Sequence, residues 1–211
     1  MARQSTFKNM VATMVVICLF TSAVLGAVYV ITLKPIQNAQ IAKTNAAIAQ
    51  VTPAFDNNPV ADSLRLNYTY DGKTRSTVAY IAKKGGKIVG YAIEASTMKG
   101  FGGRINLMVG FKPDGEIYNS SVISHSETPG LGARITDSQS HFVVQFNGKI
   151  PDDKDFKVAV RKDGGDVDAI TASTISSRAF CDVIRDAYGA FKSINVNSNN
   201  SGKEAQIDSN E

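Results

Sequence analysis

The sequence predicts an α+β protein in which a single N-terminal transmembrane helix is followed by an antiparallel sheet packed with helices. Three observations point there. An uncharged apolar run lies near the N-terminus, alternating β-rich segments joined by glycine turns fill the middle, and apolar residues at three- and four-residue steps follow Thr174.

The 25 residues from Asn9 to Leu33 carry no charge. At about 1.5 Å per residue they exceed a hydrocarbon core of roughly 30 Å. A cleaved signal peptide is the competing reading: Ala23 to Ala27 offer small cleavage-site residues, but the run is longer than the usual apolar region of about 7–15 residues. Arg3 and Lys8 precede the span, and Lys34 and Lys43 follow it, so the positive-inside rule favours a cytoplasmic N-terminus by a small margin. The remainder of the chain then lies on the extracytoplasmic side.

Pro35 to Gln50 reads as a polar, alanine-rich stalk helix whose apolar stripe, Ile36, Ile41 and Ile48, is sparse. Thr52-Pro53 and Asn57-Asn58-Pro59 break the chain. Strand signals follow at Leu64–Tyr70 and Val78–Ala82, separated by the Asp71-Gly72 turn, and at Ile88–Ala95 after Gly85-Gly86. Ile105–Phe111 and Glu116–Ile123 flank the Lys112-Pro113-Asp114-Gly115 turn. A short helix is expected over Ile135–Phe146 and a short strand over Lys157–Val160.

The final helix carries Ile175, Ala179, Phe180, Val183, Ile184, Ala187, Tyr188 and Phe191 on its apolar stripe. Beyond it the chain turns Asn/Ser-rich and aperiodic, the composition of a disordered tail. The expected organisation is therefore an N-terminus and anchor over 1–34, a stalk and linker over 35–60, a globular domain over 61–192 and a tail over 193–211.

Two features carry chemistry. Thr171, Ser173 and Thr174 crowd the start of the final helix, within Asp168-Ala169-Ile170-Thr171-Ala172-Ser173-Thr174. Capping requires one hydroxyl, and the free N–H groups of a helix start also favour a phosphate. Upstream lie the Gly100-Phe101-Gly102-Gly103 loop and His125-Ser126-Glu127-Thr128-Pro129-Gly130-Leu131-Gly132, where Gly130 and Gly132 allow close backbone approach and Glu127 and Thr128 offer polar contacts.

The stretch from Asp168 to Thr174 resembles the flavinylation motif Asp-x-x-(Ser/Thr)-(Gly/Ala)-(Ala/Ser)-Thr, with Ala172-Ser173 where the family more often has Gly-Ala. Together with the two upstream loops, in the same order, it resembles the FMN-binding domain shared by the G subunit of Rnf electron-transport complexes and the C subunit of sodium-pumping NADH:quinone reductases. The shorter chain is more similar to the Rnf subunit. The resemblance implies a covalent FMN, held as a phosphoester on Thr174 by a separate flavin transferase. It also implies an electron-carrier role beside other subunits of an ion-translocating membrane complex working between ferredoxin and NAD. On that basis Ser173, Thr171, Gly130 and Gly132 belong to the binding site, with Glu127, Thr128 and Leu131 around the flavin ring. The protein is then a redox carrier with no catalytic residue of its own.

Other readings fare worse. Only His125 and His141 are present, and no third ligand is suggestively spaced, so a metal site is not expected. Ser96-Thr97-Met98-Lys99 matches an acylating Ser-x-x-Lys pattern, but it follows a strand instead of opening a helix. Cys18 and Cys181 occupy different environments and form no disulfide framework. The net charge of +4 carries no basic block interleaved with aromatics, so nucleic acid is not an expected partner. A membrane-anchored assembly protein whose helix cap only looks flavinylated, and a stand-alone extracytoplasmic flavin carrier, are the alternatives.

Overall fold

In a computed structural model of the chain, residues 7–137 and 139–207 are described, with side chains as far as Ile194. The chain divides into two compact units, Met1–Lys43 and Thr44–Glu211. Helix α1 (Phe7–Val51) fills the described part of the first unit, and its last turns belong to the second. From Phe7 to Lys43 every side chain is exposed, although the most apolar stretch is hydrophobic on all faces. An all-round apolar helix that its own protein leaves uncovered suits lipid, and α1 is the membrane helix. Pro35 lies inside it, so anchor and stalk form one continuous helix instead of two segments.

The second unit is built on a five-stranded antiparallel sheet in the order β1-β2-β3-β4-β5: Ser63–Tyr70, Lys73–Lys84, Lys87–Thr97, Ile105–Phe111 and Ile117–His125. The first two hairpins close on residue pairs with positive φ, Asp71-Gly72 (52°, 69°) and Gly85-Gly86 (57°, 77°). That geometry matches strand twist and explains why those residues sit there. The five strands expected between Leu64 and Ile123 are present, with ends within about five residues of those expected.

Two helices cover the sheet's two faces. On one, α3 (Thr174–Ile207) lays Phe180, Ile184, Ala187 and Phe191 against Leu66, Ile93, Leu107, Val109 and Phe111. On the other, Ala47, Ile48 and Val51 at the end of α1 meet Ala92 and Met108. This second contact depends on Gly110, because a Cβ there would sit 1.5 Å from the Val51 carbonyl oxygen. The sequence predicts the stalk as a helix but gives no sign that its end completes the core.

Three expected elements differ. The Ile135–Phe146 helix is a 3₁₀ turn (Gly132–Thr136) and a separate α2 (His141–Val144), because Asp137 is extended and Ser140 starts a new cap, its Oγ accepting from Val143 N at 3.3 Å. Lys157–Val160 buries Val158 and Val160 in strand-like alternation, yet among the described residues its one bridge, Val160 with Val167, lies outside the sheet. The final helix runs on to Ile207, past Ser193 where the sequence reading begins a tail; once nucleated on the core, helix extends one hydrogen bond per residue.

The buried face of α3 also carries two carboxylates. Asp182 accepts from Thr97 Oγ1 (3.0 Å), Lys99 Nζ (3.0 Å) and Tyr70 OH (3.1 Å), and Asp186 accepts from Tyr68 OH (2.9 Å) and Arg75 Nη1 (2.5 Å). Burial raises the pKa of Asp182, but its bonds to Lys99, Thr97 and Tyr70 outweigh that and leave it below the ordinary carboxylate value. The folded state therefore holds this proton less tightly than the unfolded one. The stabilisation is complete above the unfolded value of about 3.9 and is lost as pH falls through the lower folded value. Asp182→Asn is expected to lower stability at neutral pH and to flatten its decline between about pH 5 and 2, measured as urea midpoints across that range.

Candidate functional site

The ends of β3 and β5 and the start of α3 converge on one cleft. Gly100 and Gly103 exchange two backbone hydrogen bonds (3.1 and 3.2 Å), which folds the loop after β3 back on itself. The loop then packs against the segment after β5, where a Cβ on Gly102 would lie 1.8 Å from the Ser126 carbonyl oxygen. The segment after β5 is braced from within: His125 Nδ1 accepts from the Glu127 backbone N–H at 3.1 Å. His125 thus serves the loop as a hydrogen-bond acceptor.

Glu127 joins the three segments. Only 5% exposed, its Oε2 accepts from Ser176 Oγ on α3 at 2.7 Å, and its Oε1 takes a long bond from Gly102 N–H at 3.4 Å. Gly132 leaves room for that carboxylate, since a Cβ there would stand 2.4 Å from Glu127 Oε2 and 2.7 Å from Ser176 Oγ.

The start of α3 is fixed by its own backbone and by Ser177. Ser173 N–H donates to the Ile170 carbonyl (3.0 Å), Ser177 N–H donates to the Ser173 carbonyl (3.0 Å), and Ser177 Oγ accepts from Ile170 N–H (3.0 Å). With Ser176 on Glu127 and Ser177 on the backbone, both hydroxyls are committed. Among the described residues, the hydroxyls of half-buried Thr174 and of buried Ser173 have no hydrogen-bond partner, and Thr174 is the more exposed of the two.

Directly before this helix start, Ala172 has φ +62°. A side chain in that region costs roughly 1–2 kcal/mol, and such strain concentrates at functional sites. Glycine relieves it at an entropic cost of roughly 0.5–1 kcal/mol. Ala172→Gly is therefore expected to stabilise the fold by up to about 1 kcal/mol, read as a higher denaturation midpoint.

These segments enclose a cavity of about 330 Å³ lined by Phe101, Glu127, Thr128, Leu131, Gly132, Ala172, Ser173, Thr174, Ile175 and Ser176. Of the residues expected at the site, Glu127, Thr128, Leu131, Gly132, Ser173 and Thr174 are brought together here. Two are not. Thr171 is exposed and lines a separate cavity with Asp168 and His141, and Gly130, at φ +76°, shapes the turn without touching the cleft.

The structure adds Phe101, Ile175 and Ser176, which the sequence reading does not count among the site residues. Phe101 lies inside the glycine-loop motif and Ser176 inside the hydroxyl cluster, so both carry a visible signal. Ile175 falls on the core stripe by periodicity, but it is 47% exposed and helps form the cavity rim with Phe101 (69%) and Leu131 (47%).

Comparison with known proteins identifies a family and relatives of the chain. The profile of a family described as FMN-binding domain matches residues 100–189, from the Gly100 loop to the body of α3. The G subunit of an ion-translocating oxidoreductase complex from Vibrio atlanticus is 35% identical over 188 residues, covering 86% of this chain and 88% of that one. The G subunit from Erwinia tasmaniensis is 32% identical over 176 residues, covering 82% and 84%. The one from Shewanella baltica is 43% identical over 116 residues, a match that spans 54% of each chain. The chain belongs to the family of G subunits of ion-translocating oxidoreductase complexes, with the family's FMN-binding domain beginning at the loop that closes its cleft.

Proposed function

We propose that this protein is a fixed electron carrier: it holds FMN as a phosphoester on Thr174 Oγ1 and serves an ion-translocating oxidoreductase complex in the membrane. The observation that carries the reading is the uncommitted Thr174 hydroxyl, which opens α3 and lines an apolar-rimmed cleft while Ser176 and Ser177 beside it are engaged.

The residues fit the group. The N–H groups at the start of α3 suit a phosphate, and the helix dipole adds about 0.3–1 kcal/mol for negative charge there. Phe101, Leu131 and Ile175 supply apolar surface for a planar ring. Gly132 leaves the cleft open where a Cβ would collide with Glu127 and Ser176. The flavin, when bound, supplies reversible acceptance of electrons. The chain's part is to bind and orient: Thr174 tethers the phosphate, Glu127 locks the two loops to α3, and the rim excludes water from one side of the ring.

A separate flavin transferase attaches the group in this reading, and no base hydrogen-bonded to Thr174 Oγ1 among the described residues is needed for it. With α1 in the membrane and its N-terminus cytoplasmic, the folded unit works on the extracytoplasmic side. The other subunits of the complex are its electron partners, in a path between ferredoxin and NAD.

The test is intact-mass analysis of the full chain co-expressed with an active flavin transferase, and a denaturing gel viewed under ultraviolet light. One added FMN per chain and a fluorescent band are expected. An unmodified mass with the transferase demonstrably active overturns the covalent-carrier reading.

A further inference from the structure

Glu127 is placed at more cost than a latch requires. Its carboxylate sits in a cradle of glycines: a Cβ on Gly100 would stand 2.4 Å from Oε1, and one on Gly132 would stand 2.4 Å from Oε2. The residue is buried, and its two oxygens accept one close bond, from Ser176 Oγ at 2.7 Å, and one long one, from Gly102 N–H at 3.4 Å. No cation pairs with it among the described residues. Lys99, beside the glycine loop, is drawn to Asp182 at 3.0 Å, and Arg178, in α3, is drawn to Asp163 at 2.7 Å. Both line a neighbouring cavity instead of this one.

Burying a carboxylate without a cation is expensive, and one good hydrogen bond with one weak one offsets only part of that. A glutamine would latch as well. Its Oε1 can take the Gly102 N–H and its amide can donate to Ser176 Oγ, with no charge to desolvate. The start of α3 favours a negative charge, but a phosphate on Thr174 uses that same end. What glutamate alone brings is its charge, and it is the one charged side chain among the described residues that line the cavity. A ring seated in about 330 Å³ shares that space with it.

We infer that the Glu127 carboxylate sets the redox potential of the flavin site, holding it low through its charge. The inference rests on the covalent-carrier reading and adds to it the residue that tunes the carrier. At pH 8 reduction of a flavin takes up two electrons and one proton, so the ring gains net negative charge. In a cleft of low dielectric that charge is repelled by a fixed carboxylate. The oxidised form is favoured, and the carrier becomes a stronger reductant towards its electron partner. Ser176 and Gly102 keep the carboxylate in place for this role.

The experiment is a spectroelectrochemical titration at pH 8 of the full chain in detergent micelles, loaded by an active flavin transferase and checked by intact mass. Glu127→Gln is expected to raise the midpoint so that the ratio of reduced to oxidised flavin at a fixed potential increases at least tenfold, about 30 mV for a two-electron couple. Glu127→Asp keeps the charge but is one methylene too short for the same bond to Ser176, and it is expected to stay within about threefold of wild type on the same scale. A Gln chain with the wild-type midpoint overturns the inference. So does an Asp chain that rises as far as the Gln chain, in favour of a latch that acts through geometry. Wild type alone gives a second reading, which does not depend on the Gln chain folding: the reduced-minus-oxidised infrared spectrum is expected to contain a shifted carboxylate stretch, and its absence overturns the inference. A wild-type chain without covalent flavin overturns the carrier reading and this inference with it, whereas equal midpoints in loaded chains leave the carrier reading standing.

Discussion

Thr174→Ala is expected to leave the protein folded and wholly without covalent flavin. The threonine hydroxyl makes no hydrogen bond among the described residues, and alanine is the best helix former, so stability should change by no more than about 0.5 kcal/mol. The serine hydroxyls beside it are poorly placed to take over the ester. Ser176 donates to Glu127 Oε2, Ser177 is bonded to the Ser173 carbonyl and the Ile170 N–H, and Ser173 is only 7% exposed. Intact mass and in-gel fluorescence read the outcome, with a urea midpoint as the folding control. A Thr174→Ala chain that still gains the mass of FMN places the ester elsewhere. Thr174→Ser, which keeps the hydroxyl at the same helix position, is expected to retain at least part of the modification.

The second large effect concerns the fold. Asp186→Ala removes the acceptor shared by Tyr68 OH and Arg75, and the Asp186 side chain is 3% exposed whereas that of Arg75 is 28% exposed. Breaking a buried pair by deleting one partner costs about 3–5 kcal/mol. The part-exposed guanidinium recovers some hydration, which puts the expected loss near the lower end, about 3 kcal/mol. For a unit of this size that lowers the melting temperature by roughly 6–12 °C. Tyr68→Phe, which removes one hydrogen bond and leaves the ion pair, should cost only about 1 kcal/mol. A loss below about 1 kcal/mol in Asp186→Ala would show that apolar packing against α3 alone positions the β1–β2 hairpin.

Much of the fold is legible from local pattern. The strands announce themselves through alternation and β-branched residues, and Asp71-Gly72 and Gly85-Gly86 mark hairpins because their positive φ values suit few other residues. The uncharged stretch ending at Leu33 declares the anchor by length alone. Where local pattern misleads, the missing information is a neighbour. Lys157–Val160 alternates like a strand but is bridged to Val167 outside the sheet. Ile175 falls on the apolar stripe of α3, yet the helix starts before its core contact does, which leaves that residue at the cavity rim.

The candidate site divides the same way. The motif order indicates Thr174 and the two glycine-bearing loops, since each segment carries its own chemistry in its residue types. Glu127 as the latch between those loops and α3 cannot be read from the chain, because the partners of its carboxylate, Gly102 and Ser176, lie 25 and 49 residues away. Asp182 and Asp186 likewise look like ordinary polar positions on a helix, and only their burial against β1, β2 and β3 makes them anchors.

By itself the sequence determined the membrane helix, the antiparallel hairpins, the final amphipathic helix and the hydroxyl at its start, all features set by periodicity or backbone preference within a few residues. Tertiary structure decided that the hydroxyls of Ser176 and Ser177 were committed while that of Thr174 was left at the cleft, why Gly110 and Gly132 must lack a Cβ, and where the ladder between β2 and β3 ends. Those depend on distances between segments remote in the chain, where packing density and hydrogen-bond satisfaction, rather than local propensity, select the arrangement.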